Sequence, residues 1–130
     1  MVSEESELLV VELPPSSVRW LEIRASRRRS NPDEAMTRLL EGLPGLEPDD
    51  LKSLQDPPRE RWQTFRFYVT KSALDALDEA SRKSGVHCSI ICRRVLYAIF
   101  VSRQIKFIWD AELGHFLLQR TQLHFDFADD

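Results

Sequence analysis

The sequence predicts an α+β fold, mainly helical, in which one chain carries two strand–helix–helix units. Three observations lead there. A period-two apolar run opens each unit, two stretches of helical apolar spacing follow it, and the units superpose without a gap when the chain is slid by 56 residues. The second unit is the better patterned. In TFRFYVT, Phe65, Phe67 and Val69 alternate with Thr64, Arg66 and Tyr68, the pattern of a half-buried strand. In KSALDALDEASRKSG, Leu74, Leu77 and Ser81, flanked by Ala73 and Ala80, form a helical stripe. Thr70 suits the start of that helix, Arg82 and Lys83 suit its negative end, and Gly85 is a left-handed stop. SIICRRVLYAIF then spaces Ile91, Cys92, Val95, Leu96 and Ile99 as a second helix.

The first unit follows the same plan. Leu9, Val11 and Leu13 fall under Phe65, Phe67 and Val69; Val18 and Leu21 fall under Leu74 and Leu77; Met36, Leu39, Leu40 and Leu43 fall under Cys92, Val95, Leu96 and Ile99. Pro14 and Pro15 sit where a strand hands over to a helix, a place that tolerates proline because early helix positions lack an N–H partner. Asn31–Pro32–Asp33–Glu34 reads as a helix start, with Asn as cap and Pro at the first position. The expected layout is a single domain over 1–130: repeat one at about 7–43, a linker at 44–60, repeat two at about 62–100 and an extension at 101–130. Pro44, Pro48, Pro57 and Pro58 mark the linker, with a helical turn at Asp49–Leu54. In the extension, IKFIW reads as a strand or a helix end, ELGHFLLQRTQ as a short helix, and LHFDFADD as an alternating, acidic end.

Composition bounds the class. A chain of 130 residues with 42% hydrophobic content fits one domain that buries a real core. No apolar run reaches membrane-span length, the acidic start MVSEESELLV is unlike a secretory signal, and two cysteines make no disulfide framework, so a reducing cytoplasm is expected. The net charge of −3 conceals sorting along the chain: residues 16–40 hold six bases to three acids and residues 59–106 hold ten to four, while the three flanking segments are acidic. A polyanion responds to such a local basic field, although the same bases also suit pairing with acids across the fold.

Strand–helix–helix units at this spacing resemble the ribbon-helix-helix family of bacterial and phage DNA-binding proteins. TFRFYVT stands as ribbon, LDALDEASRKSG as first helix and HCSIICRRVLYAI as second; LLVVELP and NPDEAMTRLLEGL match in pattern. The resemblance implies a pseudo-dimer in which two ribbon-helix-helix repeats on one chain form a two-stranded antiparallel ribbon, and therefore a monomer. Its physics is sound, because a lone strand with two helices cannot cover its own apolar faces. The single-chain layout further resembles the virC-operon proteins of Agrobacterium tumour-inducing plasmids. That implies a plasmid-linked virulence role, binding near T-DNA borders and assisting other DNA-processing proteins in T-DNA transfer.

In this family the outer ribbon face enters the major groove and second-helix N-termini meet phosphates. The resemblance thus assigns base contacts to Thr64, Arg66 and Tyr68, and phosphate contacts to Ser30 and Asn31 in one half and to His87 and Ser89 in the other. The matching outer positions of the first half are Leu8, Val10 and Glu12, two apolar groups and an acid, which departs from the family pattern. The run Arg27–Arg28–Arg29 suits a helix end, but three in a row exceed what a helix end needs and favour a phosphate clamp; Arg82 and Lys83 are the weaker counterpart. His87, Cys88 and Cys92 match no common zinc spacing, and Cys92 lies on the apolar stripe, so no metal or cofactor is expected. No phosphate loop or catalytic constellation stands out, and no enzymatic activity is expected. Trp20, Trp62 and Trp109 are expected as core or interface anchors. The expected partner is double-stranded DNA. The alternatives are a protein-interaction domain that keeps the fold without symmetric DNA reading, and a plasmid-encoded repressor or antitoxin-like regulator.

Overall fold

The computed structural model describes residues 6–121. Its elements run β1 (Ser6–Leu13), α1 (Pro15–Arg27), α2 (Pro32–Glu41), a 3₁₀ turn (Leu43–Gly45), α3 (Pro48–Ser53), β2 (Gln63–Thr70), α4 (Lys71–Ser84), α5 (Cys88–Phe100), β3 (Ile105–Asp110) and β4 (His115–Arg120). The fold is α+β, as the patterning predicts: among the described residues, five α-helices and two small antiparallel sheets, β1–β2 and β3–β4.

Local chemistry sets the element ends. Asn31 Oδ1 accepts the Glu34 N–H at 2.9 Å and opens α2; Thr70 Oγ1 accepts the Ala73 N–H at 3.2 Å and opens α4; His87 Nδ1 accepts the Ser89 N–H at 3.1 Å and opens α5. Gly85, at φ 75°, stops α4 in the left-handed region. α1 and α4 begin at Pro15 and Lys71, and α2 and α5 begin at Pro32 and Cys88, 56 residues apart in each case. The strand register agrees with this spacing, because Val10 lies opposite Arg66, the residue 56 further on.

Alternation in β1 and β2 puts Leu9, Val11, Leu13, Phe67 and Val69 inward. They join Leu21, Met36, Leu39, Leu40, Leu77, Ile91, Val95 and Leu96 in one core cluster. α2 packs on β2 and α4, while α5 packs on β1, so the second helix of each unit leans on the strand of the other. Each buried Leu or Val contributes roughly 1.5–3 kcal/mol, which makes this exchange the main cement between the units. Cys92 is part of the same core, and burial pushes its thiol up to about 12.

The segment expected as a linker does more than connect. Leu46, Leu51 and Leu54 are buried, and Arg94 of α5 holds the segment in place through Asp56 (Nε to Oδ1, 2.9 Å) and the Leu51 carbonyl (2.9 Å). The Arg94 guanidinium in turn holds the Asp56 carboxyl below its ordinary range. Beyond α5, IKFIW is a strand, and ELGHFLLQRTQ is not the short helix its spacing predicts. Leu113, Phe116 and Leu117 fit a helical period, but the period-two set Ile105, Phe107, Trp109 and Phe116, Leu118, Arg120 lines one face of a hairpin. Gly114, at φ 74°, makes its turn, and Leu118 is drawn into the core, its N–H donating to the Gly42 carbonyl at 2.9 Å. Gly45 permits that approach: a Cβ there would stand 2.2 Å from the Leu118 carbonyl oxygen. LHFDFADD lies outside the described residues.

Of the three tryptophans, only Trp20 packs against the core, with ring centroids 6.2 Å from Tyr97 and 6.1 Å from Phe100. Trp62 and Trp109 keep about half their surface, at 47% and 55% exposed, so neither is a core anchor.

Candidate nucleic-acid interface

The outward half of the β1–β2 alternation presents Leu8, Val10 and Glu12 beside Thr64, Arg66 and Tyr68, all exposed. Register sets the neighbours: Leu8 opposite Tyr68, Val10 opposite Arg66, Glu12 opposite Thr64. Arg66 therefore stands at the ribbon centre, its fork of donors clear of any carboxylate among the described residues. Such a guanidinium can donate two parallel hydrogen bonds to a guanine edge.

Two further bonds tie the ribbon to the helices. The Tyr68 N–H donates to Asp33 Oδ1 at 3.2 Å, and the Glu12 N–H reaches Ser89 Oγ at 3.4 Å. Glu12 and Tyr68 are 56 apart, as are Asp33 and Ser89. The two bonds are thus one contact made twice, each joining a ribbon amide to the first turn of the other unit's second helix. They fix where both helix N-termini stand relative to the ribbon's outer face.

The two N-termini differ in charge. α2 carries Asp33 and Glu34 in its first turn, and Ser30 Oγ donates to the Glu34 carboxylate. Acids there stabilise the helix and repel an incoming phosphate, so Ser30 and Asn31 sit beside anions. α5 has no acid in its first turn, and His87 and Ser89 border an opening shared with Val10, Glu12, Thr64, Trp62 and Arg93. Arg93 is only 5% exposed and lies over the Trp62 ring at 3.7 Å. Its Nη1 is buried without a hydrogen-bond partner among the described residues. Burial pushes this guanidinium below its ordinary range, with Asp56 and then Glu12 acting against that effect. Sequence reasoning missed the Arg93–Trp62 pair. Arg93 lies on the core-facing side of α5, and only the path of the chain just before β2 brings the Trp62 ring over it.

Arg27, Arg28 and Arg29 are all exposed at the α1–α2 corner and make no ion pair among the described residues. Arg82 and Lys83 are exposed too, but both engage Glu79 (Lys83 Nζ at 3.2 Å), and these contacts hold the Glu79 carboxyl below its ordinary range. One carboxylate thus offsets part of the charge of that second cluster. No family model, curated protein or solved structure matches the chain. No described helix is long and apolar enough to cross a membrane.

The corner also carries backbone strain. Arg29 has φ 55°, and its counterpart 56 residues on is Gly85 at φ 75°. A side chain in this region costs about 1–2 kcal/mol, while glycine loses about 0.5–1 kcal/mol through unfolded-state freedom. Arg29→Gly is expected to leave stability level or raise it by about 0.5 kcal/mol, whereas Gly85→Ala is expected to lower it by about 1 kcal/mol with no clash to relieve. Urea unfolding of the two variants measures both.

Proposed function

We propose that this chain is a non-enzymatic DNA-binding protein, a single-chain ribbon-helix-helix pseudo-dimer that lays β1–β2 in the major groove of duplex DNA. The pair of equivalent ribbon-to-helix bonds, Tyr68 to Asp33 and Glu12 to Ser89, carries the reading. A shared spacing of 56 in the strand register, the helix starts and these two bonds supports an internal two-fold relation, with the outer ribbon face on its axis. Arg66, Thr64 and Tyr68 read base edges. Arg27, Arg28 and Arg29, with His87 and Ser89 at the start of α5, take phosphates, and Arg82 and Lys83 add a weaker contribution. Leu8, Val10 and Glu12 offer two apolar side chains and one acid, so readout is one-sided and the preferred site is not a palindrome. A role in T-DNA border processing beside other DNA-processing proteins is the finer form of this proposal, and it rests on the family resemblance.

Exposed Leu8, Val10 and Tyr68 form an apolar band on the same face, which favours a protein-docking function as the second reading. Mobility shift on random duplex separates the two. With about four to six phosphates neutralised, log K is expected to fall against log salt with a slope of roughly −4 to −5. Absence of binding at low salt, or a flat salt dependence, overturns the DNA reading in favour of protein docking.

A further inference from the structure

Away from the ribbon, a cleft of about 420 Å³ opens between the α1–α2 corner and the β3–β4 hairpin. Its floor is the buried face of α1 and α2, with Leu21, Ala25 and Leu39. Its wall is the hairpin face that turns toward the body. On that face Ile105 and Leu118 are buried, but Trp109 and Phe116 remain 55% and 44% exposed. Their rings meet edge to face at 5.0 Å, and Phe107 meets Phe116 the same way at 6.1 Å. Water-facing aromatic surface on an inward-turned strand face is costly to leave uncovered.

Three arginines, Arg24, Arg28 and Arg38, line the same space. None forms an ion pair among the described residues. Arg24 lies against the Phe100 and Phe107 rings, at 5.8 and 5.4 Å from their centroids, and is pushed below its ordinary range by burial and then by Arg28 and Arg103. The one carboxylate on the lining, Glu41, already accepts hydrogen bonds from the Thr70 and Ser72 hydroxyls at 2.8 Å each. The cleft therefore combines uncovered ring surface with an excess of positive charge, at a volume typical of small-molecule sites.

We infer that this cleft binds a small organic anion built on a planar ring, the ring lying against Trp109 and Phe116 and the anionic group meeting Arg28 and Arg38. A nucleotide phosphate and an aromatic carboxylate share that chemistry. Arg28 is shared with the contacts proposed for duplex DNA, so the test variants avoid every residue assigned there. Calorimetric titration of the full chain with deoxyadenosine monophosphate and with 2-naphthoate is expected to give saturable one-site binding of at least one of them. Stronger nucleotide binding identifies the phosphate source and stronger naphthoate binding the carboxylate source. Deoxyadenosine, which lacks the charge, and inorganic phosphate, which lacks the ring, are expected to bind about tenfold or more weakly. Trp109→Ala and Arg38→Ala, both at exposed positions, are each expected to weaken the bound anion about tenfold while melting like the parent. The inference is overturned if neither ring-bearing anion binds at millimolar concentration, if deoxyadenosine and phosphate bind as well as they do, or if both variants bind unchanged.

Discussion

Divided between Pro57 and Pro58, the chain is expected to yield two pieces that no longer fold cooperatively. Among the described residues β1 has no hydrogen-bonded neighbour strand but β2, and each belongs to a different piece. Separation strips α5 of Leu9, Val11 and Leu13 and strips α2 of Phe67 and Val69, because each second helix packs on the other unit's strand. At roughly 1.5–3 kcal/mol per buried side chain, the three β1 residues alone supply about 5–9 kcal/mol. That is comparable with the roughly 5–15 kcal/mol by which a whole domain is stable. The C-terminal piece also loses the Asp56 and Leu51 contacts of Arg94 and exposes a ribbon edge of unpaired amides, which favours association with other chains. Circular dichroism in urea is expected to show no sigmoidal transition for either piece alone. Cooperative unfolding of a monomeric 58–130 piece would show that the two units do not depend on each other, and the internal pseudo-dimer would fall with it.

Two changes at exposed arginines are expected to weaken DNA binding in different ways. Arg66 sits at the ribbon centre, so Arg66→Ala is expected to cost on the order of 1–3 kcal/mol on a preferred site and little on random duplex. Replacing Arg27, Arg28 and Arg29 together with Ala removes charge that meets phosphates, so all duplexes are expected to lose affinity alike and the salt slope to flatten by up to about three units. Asp33 and Glu34 beside the corner oppose those phosphates, so any shortfall below three units is expected on this side of the ribbon, not at α5. None of the four side chains is in the core, so melting is expected to change little. Equal loss on preferred and random DNA for Arg66→Ala, or parental binding by the triple variant, removes these assignments. Mobility shifts across a salt series, with melts as control, make the comparison.

What the sequence by itself determined is what depends on near neighbours along the chain. Period-two runs marked β1 and β2. Asn31, Thr70 and Gly85 marked helix ends, because capping and left-handed stops act within three or four residues. The equal spacing of the two units was visible before any fold, and so were the outer-face residues Thr64, Arg66 and Tyr68, since strand alternation assigns faces locally. Partners distant in sequence were decided only by the tertiary structure. ELGHFLLQRTQ fits a helical period, yet Leu118 reaches the core only as a strand packed over Gly45. Proline punctuation in 44–60 hid three leucines, Leu46, Leu51 and Leu54, whose burial depends on contacts with distant elements. Arg93 read as one more basic residue until Trp62, 31 positions away, was laid across it. Local signals choose an element because its hydrogen bonds close within a turn or alternate along a strand. Burial, ion pairing and cleft shape depend on which surfaces meet, and that choice belongs to the whole chain.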